Sequence, residues 1–508
     1  MRRELFLSLA NGERAALADL PGLGGGEFAE TVAEAVSEGL RISSYFAASP
    51  DGGDGLELFV VLADDARNSL LVARSMVDGF AFPSIAAACP QAQAFEREIA
   101  EEFGLVPTGH PWFKPLRYHA SWTGRDAWGR DSAETILPAV GDFYRVEGEE
   151  VHEVAVGPVH AGVIEPGHFR FQCHGEKVYH LEIALGFQHR GIERDMLGGP
   201  SRLSLHHAET VAGDSTIAHA GAYCRVAESL SGGRSTVRAD AIRGIALELE
   251  RIANHVGDLG AIAGDTGYLP TSSFCGRLRG DVLNMTALLC GSRFGRGLLA
   301  PGGVAFDVDD GLASEIVKRL TRAGREISDA VDLMWESSSV MSRLEDTGLL
   351  SPGAASELGI VGVAARASGL PRDVRYDQPY GLFRFTQIPV STYDSCDVFA
   401  RAYVRRLEIS RSIAFICEAL ENLPGGEPRA AQPAPEPSCL AVALEEGWRG
   451  EVCHVAITGR DGRFARYKIV DPSFHNWPAL ARALRGEDIS DFPLCNKSFN
   501  LSYCGHDL

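Results

Sequence analysis

The chain has 508 residues, 45% of them apolar, enough for two or three domains with packed cores. Asp and Glu number 68 against 48 Lys and Arg, and the net charge of −20 opposes binding to nucleic-acid phosphates and anionic lipid surfaces. The longest uncharged runs, such as 79–95, are broken by Pro and Gln and fall short of the roughly 18–20 apolar residues that span a bilayer. The opening MRRELFLSLANGERAAL has an apolar stretch of only about five residues, too short for a signal peptide, so a cytoplasmic location is expected. Eleven cysteines are scattered without a Cys-x-x-Cys pair, the usage of a reducing compartment.

Residues 1–125 read as a small α+β unit. A β-rich run at 56–63, a polar turn at 64–68 and a second run at 69–74 predict a hairpin. From Pro90, the spacing of Phe95, Ile99 and Phe103 predicts a helix ended by Gly104. The Gly-, Pro- and aromatic-rich stretch 109–130 reads as a connector, and the boundary to a second unit, 142–508, is placed at 126–141. That unit opens with short strands at 169–173 and 178–183, joined by a turn at 174–177.

Beyond residue 200, helical patterns dominate. Ile242, Ile245, Leu249, Ile252, Val256, Leu259 and Ile262 mark one apolar stripe, with Arg251, His255 and Asp258 on another flank. In 397–420, Ile409, Ile413, Ile416 and Leu420 form an apolar stripe, and Arg401, Arg405, Glu408 and Ser412 a polar one expected to make internal ion pairs. The segment 424–437, with five prolines, reads as a loop. The expected fold class is therefore α+β: a small α+β domain followed by a mainly α-helical bundle with short strands at its start.

Five strings occur in order along the second unit: GPVHAGVIEPGHFRF, GFQHRGIER, ELERIANHVGDLGAIAGDTGY, GRLRGD and GSRFGRGLLAPGG. In this order they resemble the large subunit of energy-converting membrane-bound nickel-iron hydrogenases of the formate hydrogenlyase type, a framework shared with the 49 kDa subunit of complex I. The upstream EREIAEEFGLVPTGHPWFKPLR looks like the thirty-kilodalton subunit of complex I fused in front. The resemblance covers nearly the whole chain.

In the hydrogenase family two cysteine pairs supply four thiolates, the soft ligands such metals require. The matching positions here are Ala212 and Ser215 in the first window, 209–219, and Ser473 and Asn476 in the second, 471–476. The resemblance thus implies the fold without its nickel-iron centre, and no metal or cofactor held by this chain. The run from PSFHNWPAL to SYCGHDL resembles the uncleaved end of the complex I subunit. Of the complex I quinone ligands, Gly213 stands at the Tyr position and Pro166 at the His position, while Asp265 matches the Asp behind that His.

The resemblance gives Glu165 the place of a carboxylate that passes protons, with His160 and His219 as the nearest imidazoles. It sets Arg190 beside the iron-sulfur cluster of a partner subunit, a salt bridge to Glu193 being the alternative. Gly295 falls where complex I keeps a His near that cluster. Arg449 matches the Arg above the metal ligands and is expected to hold an anionic or carbonyl group of another acceptor. His255 and Asp265 stand about 15 Å apart along one helix, separate elements of a relay. Each of these side chains also has an ordinary structural reading.

The expected function is a peripheral-arm subunit of a complex I-like membrane-bound oxidoreductase, on the cytoplasmic face of the inner membrane. Its expected partners are an iron-sulfur small subunit like the twenty-kilodalton subunit of complex I and membrane-arm subunits, with a quinone as candidate acceptor. A non-catalytic scaffold is the alternative; an authentic hydrogenase is opposed by the four missing thiolates.

Overall fold

The computed structural model describes residues 2–49, 55–131, 135–138, 141–160 and 164–508. The predicted hairpin forms from strands Glu57–Asp64 and Ser69–Met76, paired antiparallel with Asp64 opposite Ser69. Asn68 takes the left-handed turn conformation between them, at φ 51°. Strands Leu7–Leu9 and Arg41–Ala48 extend the sheet, and Gly22–Leu23 adds a short parallel pairing to Ser69–Met76. The helix Gln93–Phe103 stops at Gly104, whose φ of 68° suits a residue without a side chain. From 109 to 150 the described residues form no helix or strand.

A three-stranded sheet follows, with His168–His174 between Val151–Val156 and the edge strand Lys177–Ala184. The helical layer contains Thr216–Ser231, Val237–Asp265, Leu269–Cys290, Asp310–Trp335 and Val398–Glu421. Val237–Asp265 is central. Thr236 accepts the Ala239 N–H at its start, and neighbours bury it along nearly its whole length, polar flank included. Its 29 residues span about 43 Å. No helix of the described residues is long and apolar enough to cross a membrane.

One element was not anticipated. Strands Cys439–Glu446, Glu451–Thr458 and Phe464–Val470 form an antiparallel meander, which Arg14–Ala16 from the chain's start extends by pairing with Cys439–Ala441. The first two strands are buried throughout, so they lack the alternation of a half-exposed strand. The early and late parts of the chain therefore share a sheet, and one continuous apolar core runs from Phe46 and Phe95 to Phe474.

A buried charged seam runs beside that core. Glu96, Glu98, Glu101 and Glu102 of the helix Gln93–Phe103 are each at most 2% exposed. Lys468 Nζ lies 2.7 Å from Glu98 and 2.9 Å from Glu193; Arg466 reaches Glu102 at 2.7 Å and Glu193 at 2.8 Å. Arg117 pairs with Glu98. Burial favours the neutral form of Glu193, yet Lys468, Arg466 and Arg117 hold its pKa at about 2. Glu193→Ala leaves two cations desolvated and short of a partner, and urea denaturation is expected to show a loss of about 3–5 kcal/mol. A loss below about 1 kcal/mol would mean the seam behaves like a solvated surface network.

Candidate functional site

The two windows face each other and are joined by a hydrogen bond between His219 and Asp471. Asp471 precedes the helix Pro472–Ala483 and caps it, accepting the Ser473 N–H at 2.8 Å. Its other oxygen lies 3.0 Å from His219 Nε2. Ser473 Oγ accepts the Ser502 N–H at 2.8 Å. The Asn476 amide clamps the backbone of Val361, accepting its N–H at 3.0 Å and donating to its carbonyl at 3.1 Å. A Cβ on Gly505 would stand 2.6 Å from Asp471 Cγ, so the closing turn of the chain needs glycine there.

Arg449 is buried against the first window. Its Nη1 and Nη2 donate to the two Asp214 oxygens at 2.6 and 2.8 Å, and its Nε to the Asn500 carbonyl at 2.6 Å. Ser215 Oγ lies 3.4 Å from Nη1, and the guanidinium stacks 3.9 Å above the Trp448 ring. The expectation of an Arg449 available to an acceptor is therefore corrected: Asp214 neutralises it. Asp214 is held in turn through its carbonyl, which accepts from Trp448 Nε1 at 2.9 Å and Asn254 Nδ2 at 2.8 Å.

Behind His219 runs a buried chain that sequence reading missed. His219 Nδ1 lies 3.0 Å from His454 Nε2, and His454 Nδ1 lies 2.9 Å from the Tyr467 hydroxyl. Burial raises the Asp471 pKa, but His219 and Arg449 outweigh it and keep the carboxyl below its ordinary value. Burial, then the neighbouring His219, holds His454 well below its ordinary value and hence neutral. With Asp471 ionised, it accepts from His219 Nε2–H, and His454 and Tyr467 continue the chain behind that imidazole.

Glu250 was also missed. It caps the start of the helix Thr216–Ser231, accepting the N–H of Ile217 at 2.7 Å and of Ala218 at 3.3 Å. Burial, with the Asp214 charge adding to it, pushes its pKa up to about 8 despite those bonds.

Glu165 is half-buried and caps the short helix Tyr503–His506, accepting the Tyr503 N–H at 3.2 Å and the Cys504 N–H at 3.3 Å. Burial, then the Glu165 charge, pushes the Cys504 thiol up to about 12, so it stays protonated. Arg190 is exposed and donates to the carbonyls of Thr210 (2.6 Å), Val211 (2.8 Å) and Cys504 (3.2 Å). It does not bridge Glu193, which belongs to the Lys468 seam. His160 is half-buried, and its Nε2 has no hydrogen-bond partner among the described residues; 161–163, between it and Glu165, lie outside them. Gly295, at φ 73°, has Ile217 Cδ1 2.3 Å from where a Cβ would stand, which leaves no room for an imidazole.

The polar helix flanks make the expected ion-pair network with one exception. Glu408 meets Arg366 and His255, both at 2.8 Å, and Arg405 meets Asp258 at 2.7 Å. Arg401 instead donates to Ser498 Oγ at 2.8 Å and the Gly348 carbonyl at 3.0 Å. Asn500 Nδ2 donates to Asp258 at 2.5 Å, which ties the network to Arg449. Asp265 is exposed at the far end of the central helix, about 16 Å along the axis from Asn254.

These donors do not suit a nickel-iron centre. Ala212 offers no ligand atom, Asn476 is consumed by Val361, and Ser473 and Ser215 are neutral hydroxyls engaged with Ser502 and Arg449. Among the described residues, no group of three or more His, Cys, Asp or Glu is placed to hold a metal ion.

Comparison with known proteins agrees with the architecture. Residues 265–439 match the family described as respiratory-chain NADH dehydrogenase, 49 Kd subunit, and 28–130 match the corresponding 30 Kd subunit family. Formate hydrogenlyase subunit 5 of Escherichia coli is 30% identical over 435 residues, 83% of this chain and 76% of that protein. The carbon monoxide-induced hydrogenase of Rhodospirillum rubrum is 30% identical over 350 residues, 69% of this chain and 97% of that one. NADH-quinone oxidoreductase subunit 4 of Thermus thermophilus is 28% identical over 369 residues, 67% of this chain and 90% of that one. The chain belongs to the oxidoreductase family that unites complex I 49 kDa subunits with hydrogenase large subunits of the formate hydrogenlyase kind, with a 30 kDa-type region fused in front.

Glu250 gives a measurable consequence. Its folded-state pKa lies above the ordinary glutamate value of about 4.3, so between pH 5 and 7 the folded chain keeps a proton that the unfolded chain releases, and stability falls as pH rises. Glu250→Gln removes this titration. Denaturation at a series of pH values is expected to show that fall shallower by about 1.4 kcal/mol per pH unit. An unchanged slope would contradict the assignment.

Proposed function

We propose that the chain is the peripheral-arm subunit of a complex I-like membrane-bound oxidoreductase. It receives electrons from an iron-sulfur cluster of a small partner subunit, like the cluster-bearing small subunit of complex I, and forms the site of a quinone-type acceptor. It has no nickel-iron centre of its own. The observation that carries this reading is Arg190, an exposed guanidinium with no carboxylate partner among the described residues, held by carbonyls of both the first window and the C-terminal turn. A positive charge held at a docking surface favours the reduced state of a cluster placed against it. The name membrane-bound hydrogenase subunit alpha, from Pyrococcus furiosus, supports membrane-arm partners and a peripheral position, which we propose to lie on the cytoplasmic face.

Protons for the acceptor have two routes in this reading. Glu165 is half-buried beside the Cys504 thiol, close to Arg190. The Tyr467, His454, His219 and Asp471 chain is the second, ending on the window carboxylate. The donor set at Ala212, Ser215, Ser473 and Asn476 argues against hydrogen chemistry at this position.

A non-catalytic scaffold has one observation in its favour, since Arg449 spends its donors on Asp214 and Asn500. The readings separate in the assembled complex. Under the catalytic reading, Arg190→Gln lowers the midpoint potential of the partner's cluster, and Glu165→Gln slows electron transfer to added quinone by about a hundred-fold. Unchanged potential and rate in a fully assembled complex would establish the scaffold.

A further inference from the structure

A cavity of about 750 Å³ lies between the helix Gln93–Phe103, the segment 112–118, the edge strand Lys177–Ala184 and the helix Pro472–Ala483. Asp214, Arg449, Glu165 and Arg190 do not line it. Its volume falls within the range of small-molecule sites, about 300–1,000 Å³.

Aromatic rings make part of its wall and are left in water. Trp112 is 40% exposed, and Tyr144 and Tyr179 are each 48% exposed. Trp112 meets Tyr144 edge-on with centroids 5.9 Å apart, and Tyr144 leans on His180 at 4.9 Å. Exposed rings at the rim of a concavity offer flat apolar faces to a ligand.

The charge of the cavity opposes that of the chain. Arg97 donates to the carbonyls of Lys114 at 2.8 Å and Pro115 at 2.7 Å, which orient the guanidinium without neutralising it. Arg482 and Arg485 are exposed at the end of their helix and, like Arg97, have no carboxylate partner among the described residues. Glu182, the one acid in the wall, is matched by Lys114. Three guanidiniums, none in ion-pair contact with a carboxylate among the described residues, thus line one cavity of a chain of net charge −20, with Glu101 and Glu182 acting on Arg97 only at longer range. Guanidinium stays charged at all physiological pH values and pairs bidentately with phosphate or carboxylate.

We propose that this cavity binds a small molecule that joins a planar ring to a phosphate or carboxylate, with the ring against Trp112 and Tyr144 and the anion on Arg97, Arg482 and Arg485. The proposal is independent of the electron-transfer reading and does not involve its residues. It is tested on the purified full chain by calorimetry and Trp fluorescence, with adenosine 5′-monophosphate and 1-naphthoate as anionic probes and adenosine and 1-naphthol as their neutral counterparts. At least one anion is expected to bind about ten-fold or more tightly than its neutral counterpart, and which one does so tells phosphate from carboxylate. In the double variant Arg482→Gln, Arg485→Gln that affinity drops about ten-fold or more, with thermal unfolding unchanged because both side chains are on the surface. The proposal is overturned if neither anion binds at about 1 mM, if the neutral compounds bind equally well, or if the double variant binds like the parent.

Discussion

The ion pair between Arg449 and Asp214 joins chain segments 235 residues apart and holds the first window against the turn between the strands Cys439–Glu446 and Glu451–Thr458. In a thiolate site, a metal would cross-link the two windows. Here the His219 to Asp471 bond joins them, while the bidentate guanidinium-carboxylate pair, the Asn476 clamp on Val361 and the Ser473 to Ser502 bond tie each window to other parts of the chain. Such a pair is costly to break from the carboxylate side, because removing Asp214 strands the buried Arg449 charge. Asn500 passes the constraint to Asp258 and Arg405, so the window is continuous with the charged interior of the bundle.

This interior explains how a chain with so many charged residues folds around them. Glutamates of the helix Gln93–Phe103 that would suit a solvated face instead meet Lys468 and Arg466, supplied by a distant strand, and Arg117 from the segment that follows the helix. The region that contains this helix therefore docks through matched charges as well as through Phe95 against Phe474, whose ring centroids are 4.8 Å apart. The same sharing of partners sets the protonation of the interior. Glu193, with three cations, is held at about 2, whereas Glu250, with only backbone N–H groups, rises to about 8.

Periodicity made the long helices legible, and turn chemistry made the Asn68 hairpin and the Gly104 stop legible, because both act over a few residues. The late sheet was not, since Cys439–Glu446 and Glu451–Thr458 are buried throughout and show no alternation. Motif order led to the family and to Ala212, Ser215, Ser473 and Asn476. It could not show that Asp214, between two of those positions, pairs with Arg449, nor that His454 and Tyr467 stand behind His219. Those partners are distant in sequence and carry no local signature. The contrast between Arg190, for which a bridge to Glu193 was the alternative reading but which is bound to carbonyls, and Arg449, expected to hold an acceptor group but spent on Asp214, has the same origin.

The central claim is that this chain keeps the architecture of a hydrogenase large subunit while the redox centre belongs to a partner. Metal and acid-labile sulfide analysis of the purified complex, run beside the isolated chain, tests it most directly. The account predicts iron and sulfide in the complex, neither in the isolated chain, and nickel in neither. Nickel bound stoichiometrically to the isolated chain would contradict it and restore a metal to the space between Ser215 and Ser473.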